Sequence, residues 1–165
     1  MNTVLDQKAL DALAAAVQDA GRQAKQQQMF IHRSYKSDGT VITETDLAIS
    51  RRILGVVANL FEDVNIISEE TLTPFREDAQ YTFVLDPIDG TDVYSQGLPS
   101  WAVALGILDR NRKPVGAMIS APRWGIGEEE LFLRLDPGKE LTINGRRFSP
   151  STDKEIGRAS CRERV

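Results

Sequence analysis

Two aspartates three residues apart carry the clearest chemical signal in this sequence. They lie in the segment 86–91, DPIDGT, directly after the β-branched run 81–85. Pro87 stiffens the bend between them and Gly90 permits it, so both carboxylates can face one point. A hard cation such as Mg2+ prefers oxygen ligands, and two Asp carboxylates with a backbone carbonyl between them suit it. The spacing therefore predicts an oxygen-ligated metal site.

Further acidic side chains are placed where they could join this site. Glu69 and Glu70 end the run 64–67, and they add a carboxylate if that strand lies beside the one that precedes Asp86. Asp46 adds another at the start of a predicted helix. Two like charges about 4 Å apart repel by roughly 4 kcal/mol at an effective dielectric near 20. Clustered carboxylates therefore imply a bound cation or raised pKa values.

Each of these pieces also has an ordinary structural explanation. Asp-Pro and Asp-Gly are common turn pairs, Glu-Glu is often a solvated surface pair, and Asp46 can simply favour a helix N-terminus. The combination favours a functional site, because both acidic groups end β-rich runs and Gly90-Thr91 follows with amides that could bind an anion. His32 has no partner for catalysis in the sequence and is interpreted as a structural or surface residue.

Apolar residues recur at helical spacing early in the chain and at strand spacing later. They predict a helix from Thr3, as N-cap, to about Gln28 and a second helix over 45–62. Asp38-Gly39 predicts a hairpin turn within 30–43. Two helices followed by strands are typical of α+β layering. We expect two helices packed on a largely antiparallel sheet of about six strands, with the strands over 64–67, 81–85, 101–108, 114–120, 131–135 and 141–148.

Composition excludes several classes of protein. The 165 residues carry 20 Lys plus Arg against 24 Asp plus Glu, and 41% are hydrophobic, which fits one globular domain. The net charge of -4 with scattered basic residues argues against a nucleic-acid polymer as partner. No apolar run approaches the roughly 18 residues of a membrane span, and no secretory signal is evident, so we expect a cytoplasmic protein with no membrane partner.

The end of the chain differs from the rest. Residues 155–165 show neither helical nor strand period and include the single Cys161. We interpret them as a vector-derived or disordered tail, which leaves 1–154 as the domain. A lone cysteine cannot form an internal disulfide, and the sequence offers no Cys or His cluster for zinc.

Three motifs together resemble one protein family. TETD at 43–46, SEET at 68–71 and DPIDGT at 86–91 follow one another in the order and spacing of the inositol monophosphatase family, and the similarity extends over about residues 1–154. The resemblance implies a Mg2+-dependent, lithium-sensitive phosphomonoester hydrolase that acts on an inositol, sugar or nucleotide phosphate. It also implies that this domain is the N-terminal half of a layered αβαβ fold.

The resemblance implies a ligand set for two Mg2+ ions. These ligands are the side chains of Glu69, Asp86 and Asp89 and the main-chain oxygen of Ile88. Metals held there would acidify the attacking water and polarise the phosphoryl oxygens during in-line displacement.

Other positions carry over as catalytic or phosphate-binding residues. Thr91, with Asp46 or Glu70, would orient and deprotonate the attacking water. The amides of Gly90 and Thr91 would bind the substrate phosphate, and Lys36 corresponds to a basic position near it. No covalent nucleophile is required.

Two departures from the family pattern affect the expectations. Asp92-Val93-Tyr94 stands where relatives have a small polar residue and then Asn-Phe, so the substrate edge is expected to differ. Relatives also contribute a Trp-Asp motif from a C-terminal domain, and nothing in this sequence matches it. We therefore expect a truncated chain that holds one metal well and exposes an apolar sheet face, which favours a homodimer.

Two alternatives belong to other classes. The first is a catalytically inactive metal-binding or assembly domain derived from the same family. The second is a pair of carboxylates acting as general acid and base on a glycoside, which would need no metal. Mg2+-dependent release of phosphate, inhibited by Li+, distinguishes the hydrolase from both.

Overall fold

A seven-stranded sheet carries two long helices on one of its faces. The structure is a computed structural model and describes residues 5–124 and 129–149. A small two-stranded hairpin stands apart from the main sheet. Within the described residues, the elements are helices α1 Gln7–Gln27, α2 Glu44–Leu60 and α3 Thr91–Ser95, and strands β1 Ser34–Tyr35, β2 Val41–Ile42, β3 Val64–Ser68, β4 Tyr81–Asp89, β5 Ala102–Asp109, β6 Pro114–Trp124, β7 Glu129–Leu135, β8 Thr142–Ile143 and β9 Arg146–Arg147.

The strand order of the main sheet follows the chain from β3 to β9. β3 and β4 pair in parallel, and every later pair is antiparallel. The predicted α+β class, with helices on a largely antiparallel sheet, is confirmed. The sheet has seven strands rather than about six because 141–148 folds into two short strands around Asn144, whose positive φ of 50° suits the turn.

The helix starts are set by side-chain caps. Asp6 caps α1 by accepting a hydrogen bond from the amide of Ala9 at 3.2 Å, so the prediction that the helix begins at Thr3 is wrong. Thr3 itself lies outside the described residues. α2 begins one residue before the predicted start because Thr43 and Asp46 form a reciprocal capping box. The hairpin predicted around Asp38-Gly39 is confirmed by the pairing of β1 with β2.

The core lies between the two long helices and the sheet. Phe83, Leu105 and Met118 project from successive strands into this layer and are buried. α1 approaches the sheet closely at Gly21, where a Cβ atom would lie 2.3 Å from the hydroxyl oxygen of Ser120. The absence of a side chain at this position therefore sets the distance between α1 and β6.

The opposite face of the sheet is also apolar. Ile67, Val84, Gly106, Ala117 and Leu135 pair one with the next across five strands, so they form a single row on this face. Ile67 and Val84 at one end of the row are 45% and 38% exposed. The expected apolar surface away from the helices is thus present in the described residues.

Candidate metal and phosphate site

The parallel pair of strands brings two acidic stretches to one edge of the sheet. Ser68, the last residue of β3, lies beside Leu85 of β4. Glu69, which follows β3, donates its amide to the carbonyl of Leu85 at 3.2 Å. Glu69 and Asp86 therefore follow neighbouring positions of parallel strands. The strand before Glu69 thus lies beside the strand before Asp86, which is the condition under which Glu69 was expected to add a carboxylate.

An irregularity in β4 places the two aspartates on the same side of the sheet. Residues three apart on a regular strand face opposite sides. Here Asp86 pairs with Ala104 and Asp89 pairs with Ala102, so β4 has one residue more than β5 between these pairs. Such a bulge reverses the alternation. Because Ala102 and Ala104 are two apart and share a face, their partners share it too.

Asp86 is the most perturbed carboxylate of this site. Burial, together with the negative charges of Glu69, Asp89 and Asp46, raises its pKa from 3.8 to about 6, and a hydrogen bond from the amide of Ile88 opposes the shift. One of its oxygens, Oδ1, is buried without a hydrogen-bond partner among the described residues. A buried oxygen in a negative environment without a donor fits a cation ligand.

Helix α2 contributes Asp46, which is only 1% exposed. Its carboxylate accepts hydrogen bonds from the amide of Thr43 at 2.9 Å and from the hydroxyl of Thr43. Its other oxygen lies 3.1 Å from the hydroxyl of Thr91. Burial raises the pKa of Asp46, and these hydrogen bonds oppose the increase. Asp46 is thus part of the capping box of α2 and, at the same time, contacts Thr91 of the candidate site.

Short helix α3 begins at the end of the DPIDGT segment. Gly90 precedes it with a left-handed φ of 92°, a conformation that glycine adopts at little cost. A Cβ atom at this position would lie 3.4 Å from the carbonyl oxygen of Ser100 and 3.4 Å from the Cβ of Trp101. The hydroxyl of Thr91 also lies 2.8 Å from the carbonyl oxygen of Ile88. Gly90 and Thr91 therefore lie at the turn between the strand and α3.

Lys36 lies on the β1–β2 hairpin and contacts Glu69 and Glu70. These two residues lie in the turn 68–71, which we call the acidic turn. Its ammonium group is 3.1 Å from Glu69 Oε1 and 2.6 Å from Glu70 Oε1. Partial burial alone would lower the pKa of Lys36, but the hydrogen bonds and charges of Glu70 and Glu69 raise it overall. The Glu69 side chain is 51% exposed, whereas that of Glu70 is only 5% exposed. The lysine predicted near the phosphate thus neutralises two of the predicted acidic residues.

The acidic side chains of the described residues are not arranged as a complete set of metal ligands. Over residues 5–124 and 129–149, no three Asp, Glu, His or Cys side chains are grouped closely enough to hold an ion. The electrostatic effect of Glu69 and Asp89 on Asp86 remains, because charges act over longer distances than metal–ligand bonds. Lys36 holds Glu69 in a salt bridge.

Two residues of the Asp92-Val93-Tyr94 run, which departs from the family pattern, have structural partners. Asp92 forms a salt bridge with Arg33 at 2.8 Å, and Arg33 also donates to the hydroxyl of Ser95. The Tyr94 side chain is fully buried, and its hydroxyl donates to the carbonyl oxygen of Ala24 at 2.9 Å. Tyr94 therefore anchors α3 to the end of α1, and the motif change at this position belongs to the core.

Sequence reasoning missed Ser50, which contacts the acidic turn from α2. Its hydroxyl lies 2.8 Å from that of Ser68 and 2.9 Å from that of Thr71. A signal was available, since Ser50 comes four residues after Asp46 and therefore lies on the same side of the helix. Serine is too common on helices for that spacing to be noticed without the contacts.

Fold and site together define a layered α+β protein with an acidic loop at the end of a parallel strand pair. None of the helices within the described ranges is long and apolar enough to cross a membrane. The profile of the inositol monophosphatase family matches residues 2–164. The chain belongs to this family.

Individual relatives agree with the family assignment. The chain is 29% identical over 126 residues to Nus factor SuhB of Haemophilus influenzae, covering 76% of this chain and 45% of that protein. It is 27% identical over 171 residues to the 3'(2'),5'-bisphosphate nucleotidase CysQ of the same organism, covering 98% and 63%. The structure of the Thermotoga maritima IMPase superposes with a TM-score of 0.75 at 23% identity, covering 89% and 55%. The chain thus spans about half the length of the relatives it matches.

Proposed function

We propose that this chain is the metal- and phosphate-binding part of a Mg2+-dependent phosphomonoester hydrolase. The observation that carries the proposal is the state of Asp86, whose buried Oδ1 has no donor among the described residues and whose pKa is raised to about 6 by burial and by three neighbouring carboxylates. Carboxylate and carbonyl oxygens are the donors that Mg2+ prefers. We assign Asp86, Asp89, Glu69 and the carbonyl of Ile88 as its ligands.

The remaining site residues have roles that follow from their contacts. Mg2+, when bound, supplies the Lewis-acid chemistry that polarises the phosphate ester and acidifies water. Thr91 and Asp46, whose oxygen atoms are 3.1 Å apart, would orient the attacking water and accept its proton. The raised pKa of Asp46 makes it a better base than an exposed aspartate. Amides at Gly90 and Thr91 would hold the phosphate.

In this proposal, Lys36 changes its partner at the acidic turn when the ligands bind. Glu70, also assigned to water activation, has a nearly buried side chain and is neutralised by Lys36. We propose that the ammonium group of Lys36 leaves Glu69 when Mg2+ and the substrate phosphate are present, and that it then contacts the phosphate. The substrate is a small phosphate monoester of the inositol, sugar or nucleotide class, and Li+ is expected to inhibit hydrolysis.

Calorimetric titration with Mg2+, combined with phosphate release from a generic monoester, tests the proposal. We expect Asp86→Asn to abolish both Mg2+ binding and hydrolysis while the fold remains intact. Asp78→Asn is the matched control, because Asp78 is an exposed partner of Arg76. Unchanged Mg2+ affinity in Asp86→Asn would refute the metal assignment.

A catalytically inactive metal-binding or assembly domain is the second candidate. The salt bridges of Lys36 to Glu69 and Glu70 favour it, because they satisfy two carboxylates without any metal. Under this alternative, Mg2+ binds but no phosphate is released, with or without Li+. The same pair of assays therefore separates the two candidates.

We also propose a cytoplasmic homodimer built on residues 1–154, with 155–165 as a tail; the tail lies outside the described residues. The apolar row from Ile67 to Leu135 supports self-association, since exposed apolar patches commonly mark interfaces.

A further inference from the structure

We propose that Ser50 is a positioning residue that sets the direction of the Glu69 and Glu70 side chains. The inference rests on the proposed function. Ser50 lies on α2 and is fully buried. Its hydroxyl oxygen lies 2.8 Å from that of Ser68 and 2.9 Å from that of Thr71. A single buried hydroxyl therefore bridges the two residues that flank Glu69 and Glu70.

The bridged residues are the two ends of a tight turn. Ser68 ends β3, Glu69 and Glu70 occupy the corners, and Thr71 pairs back with Ser68 in an isolated bridge. The turn's own hydrogen bond, from the amide of Thr71 to the carbonyl oxygen of Ser68, is long at 3.4 Å. The hydroxyl bridge therefore supplies much of what keeps the ends together. The directions of the Glu69 and Glu70 side chains depend on that closure. Ser50 therefore orients both carboxylates.

The bridge also connects the turn to the other acidic residue of the site. Ser50 follows Asp46 by four residues, so both project from the same side of α2. A carboxylate oxygen of Asp46 lies 3.1 Å from the hydroxyl of Thr91. One rigid helix thus holds Asp46 directly and holds Glu69 and Glu70 through Ser50. Hydroxyl groups suit this position because each can donate one hydrogen bond and accept others.

The loop after the turn contains a contact that serves as a control. The hydroxyl of Thr73 donates to the carbonyl oxygen of Ile66. This hydrogen bond joins the same loop to β3 but does not involve Ser68 or Thr71. Replacing Thr73 by valine therefore removes a comparable hydroxyl without opening the ends of the turn.

Four variants test the inference by calorimetric Mg2+ titration of the whole chain. We expect Ser50→Ala and Thr71→Val to raise the Kd for Mg2+ roughly tenfold, as loss of residues that orient metal ligands typically does. Thr71→Ser retains the hydroxyl and is expected to bind Mg2+ like the wild type. Thr73→Val is expected to change the Kd by less than about twofold, even if its melting temperature falls. An unchanged Kd in Ser50→Ala, or an equal loss in Thr73→Val, would overturn the inference.

Amide hydrogen exchange separates failure of this inference from failure of the proposed function. If the wild type does not bind Mg2+, the proposed function fails, and the positioning role is then judged from the metal-free chain. We expect the amides of Glu69 and Thr71 to exchange faster in Ser50→Ala but not in Thr73→Val. Equal protection of these amides in the wild type and Ser50→Ala would show that Ser50 does not hold the turn.

Discussion

The hydroxyl of Thr91 lies 3.1 Å from a carboxylate oxygen of Asp46, across 45 positions of sequence. This contact joins the first turn of α2 to the first residue of α3. The same hydroxyl also lies 2.8 Å from the carbonyl oxygen of Ile88. Since a hydroxyl has one proton, it can donate fully to only one of these acceptors at a time. Thr91 therefore has a second acceptor available when water competes for Asp46.

Removing the Thr91 hydroxyl tests its role in catalysis. We expect Thr91→Val to lower phosphate release about 100-fold, the lower range for loss of general acid–base help. The Kd for Mg2+ should change little, because this side chain is not among the proposed ligands. Thr91→Ser retains the hydroxyl and should remain active. A valine variant with wild-type turnover would exclude Thr91 from water activation.

Asp86 predicts an unusual pH dependence in the metal-free chain. Its pKa rises from 3.8 to about 6 on folding, so the folded state binds more protons between these values. The free energy of unfolding should therefore fall as pH rises through this window. Asp86→Asn carries no such proton, and we expect it to be more stable than the wild type above pH 6 by about 1 to 2 kcal/mol.

Denaturant unfolding with a chelator at pH 5 and pH 7.5 measures this difference. Carboxylates remote from Asp86 titrate equally in both proteins, so their contribution cancels in the comparison. An identical pH dependence for the wild type and Asp86→Asn would show that this carboxyl is not perturbed.

Lys36 is expected to compete with the metal for Glu69. We expect Lys36→Met to tighten Mg2+ binding severalfold and to destabilise the metal-free chain by about 1 to 3 kcal/mol, because the nearly buried Glu70 carboxylate loses its partner. Lys36→Arg keeps the positive charge and is the control. Calorimetry and chemical unfolding measure the two effects. Weaker Mg2+ binding in Lys36→Met would contradict competition.

Two glycines on the long helices should respond oppositely to alanine. A Cβ at Gly21 would lie 2.3 Å from the hydroxyl oxygen of Ser120, whereas nothing lies within 4 Å of one at Gly55. We expect Gly21→Ala to destabilise the fold by about 1 to 3 kcal/mol and Gly55→Ala to stabilise it by about 0.5 to 1 kcal/mol. Thermal unfolding compares them. Equal changes would show that helix propensity alone governs both positions.

The apolar row on the open sheet face predicts self-association. Ala117 is the fourth of the five residues in this row, between Gly106 and Leu135. We expect the wild type to form dimers and Ala117→Lys to be monomeric, because a charge within the interface would have to be buried. Leu72→Lys, on a fully exposed loop position, is the control. If light scattering shows that the wild type is monomeric at high concentration, the proposed dimer is contradicted.

Much of the fold was predictable because its signals are local. The Asp38-Gly39 turn appears in the structure where the sequence predicts it, with a positive φ at Gly39. The five-residue helix α3 was missed, since it is too short to show a helical period. The start of α1 was misplaced because Thr3 and Asp6 are both plausible caps by residue type.

By itself, the sequence determined the two long helices, the strand-rich second half and the acidic segments that end β3 and β4. Periodicity and turn residues encode these features within a few neighbouring positions. Only the tertiary structure decided that a bulge turns Asp86 and Asp89 to the same face, that Lys36 meets Glu70 across 34 positions, and that Ser50 bridges the ends of the acidic turn. These features depend on strand register and on distances between remote atoms, which no local pattern specifies.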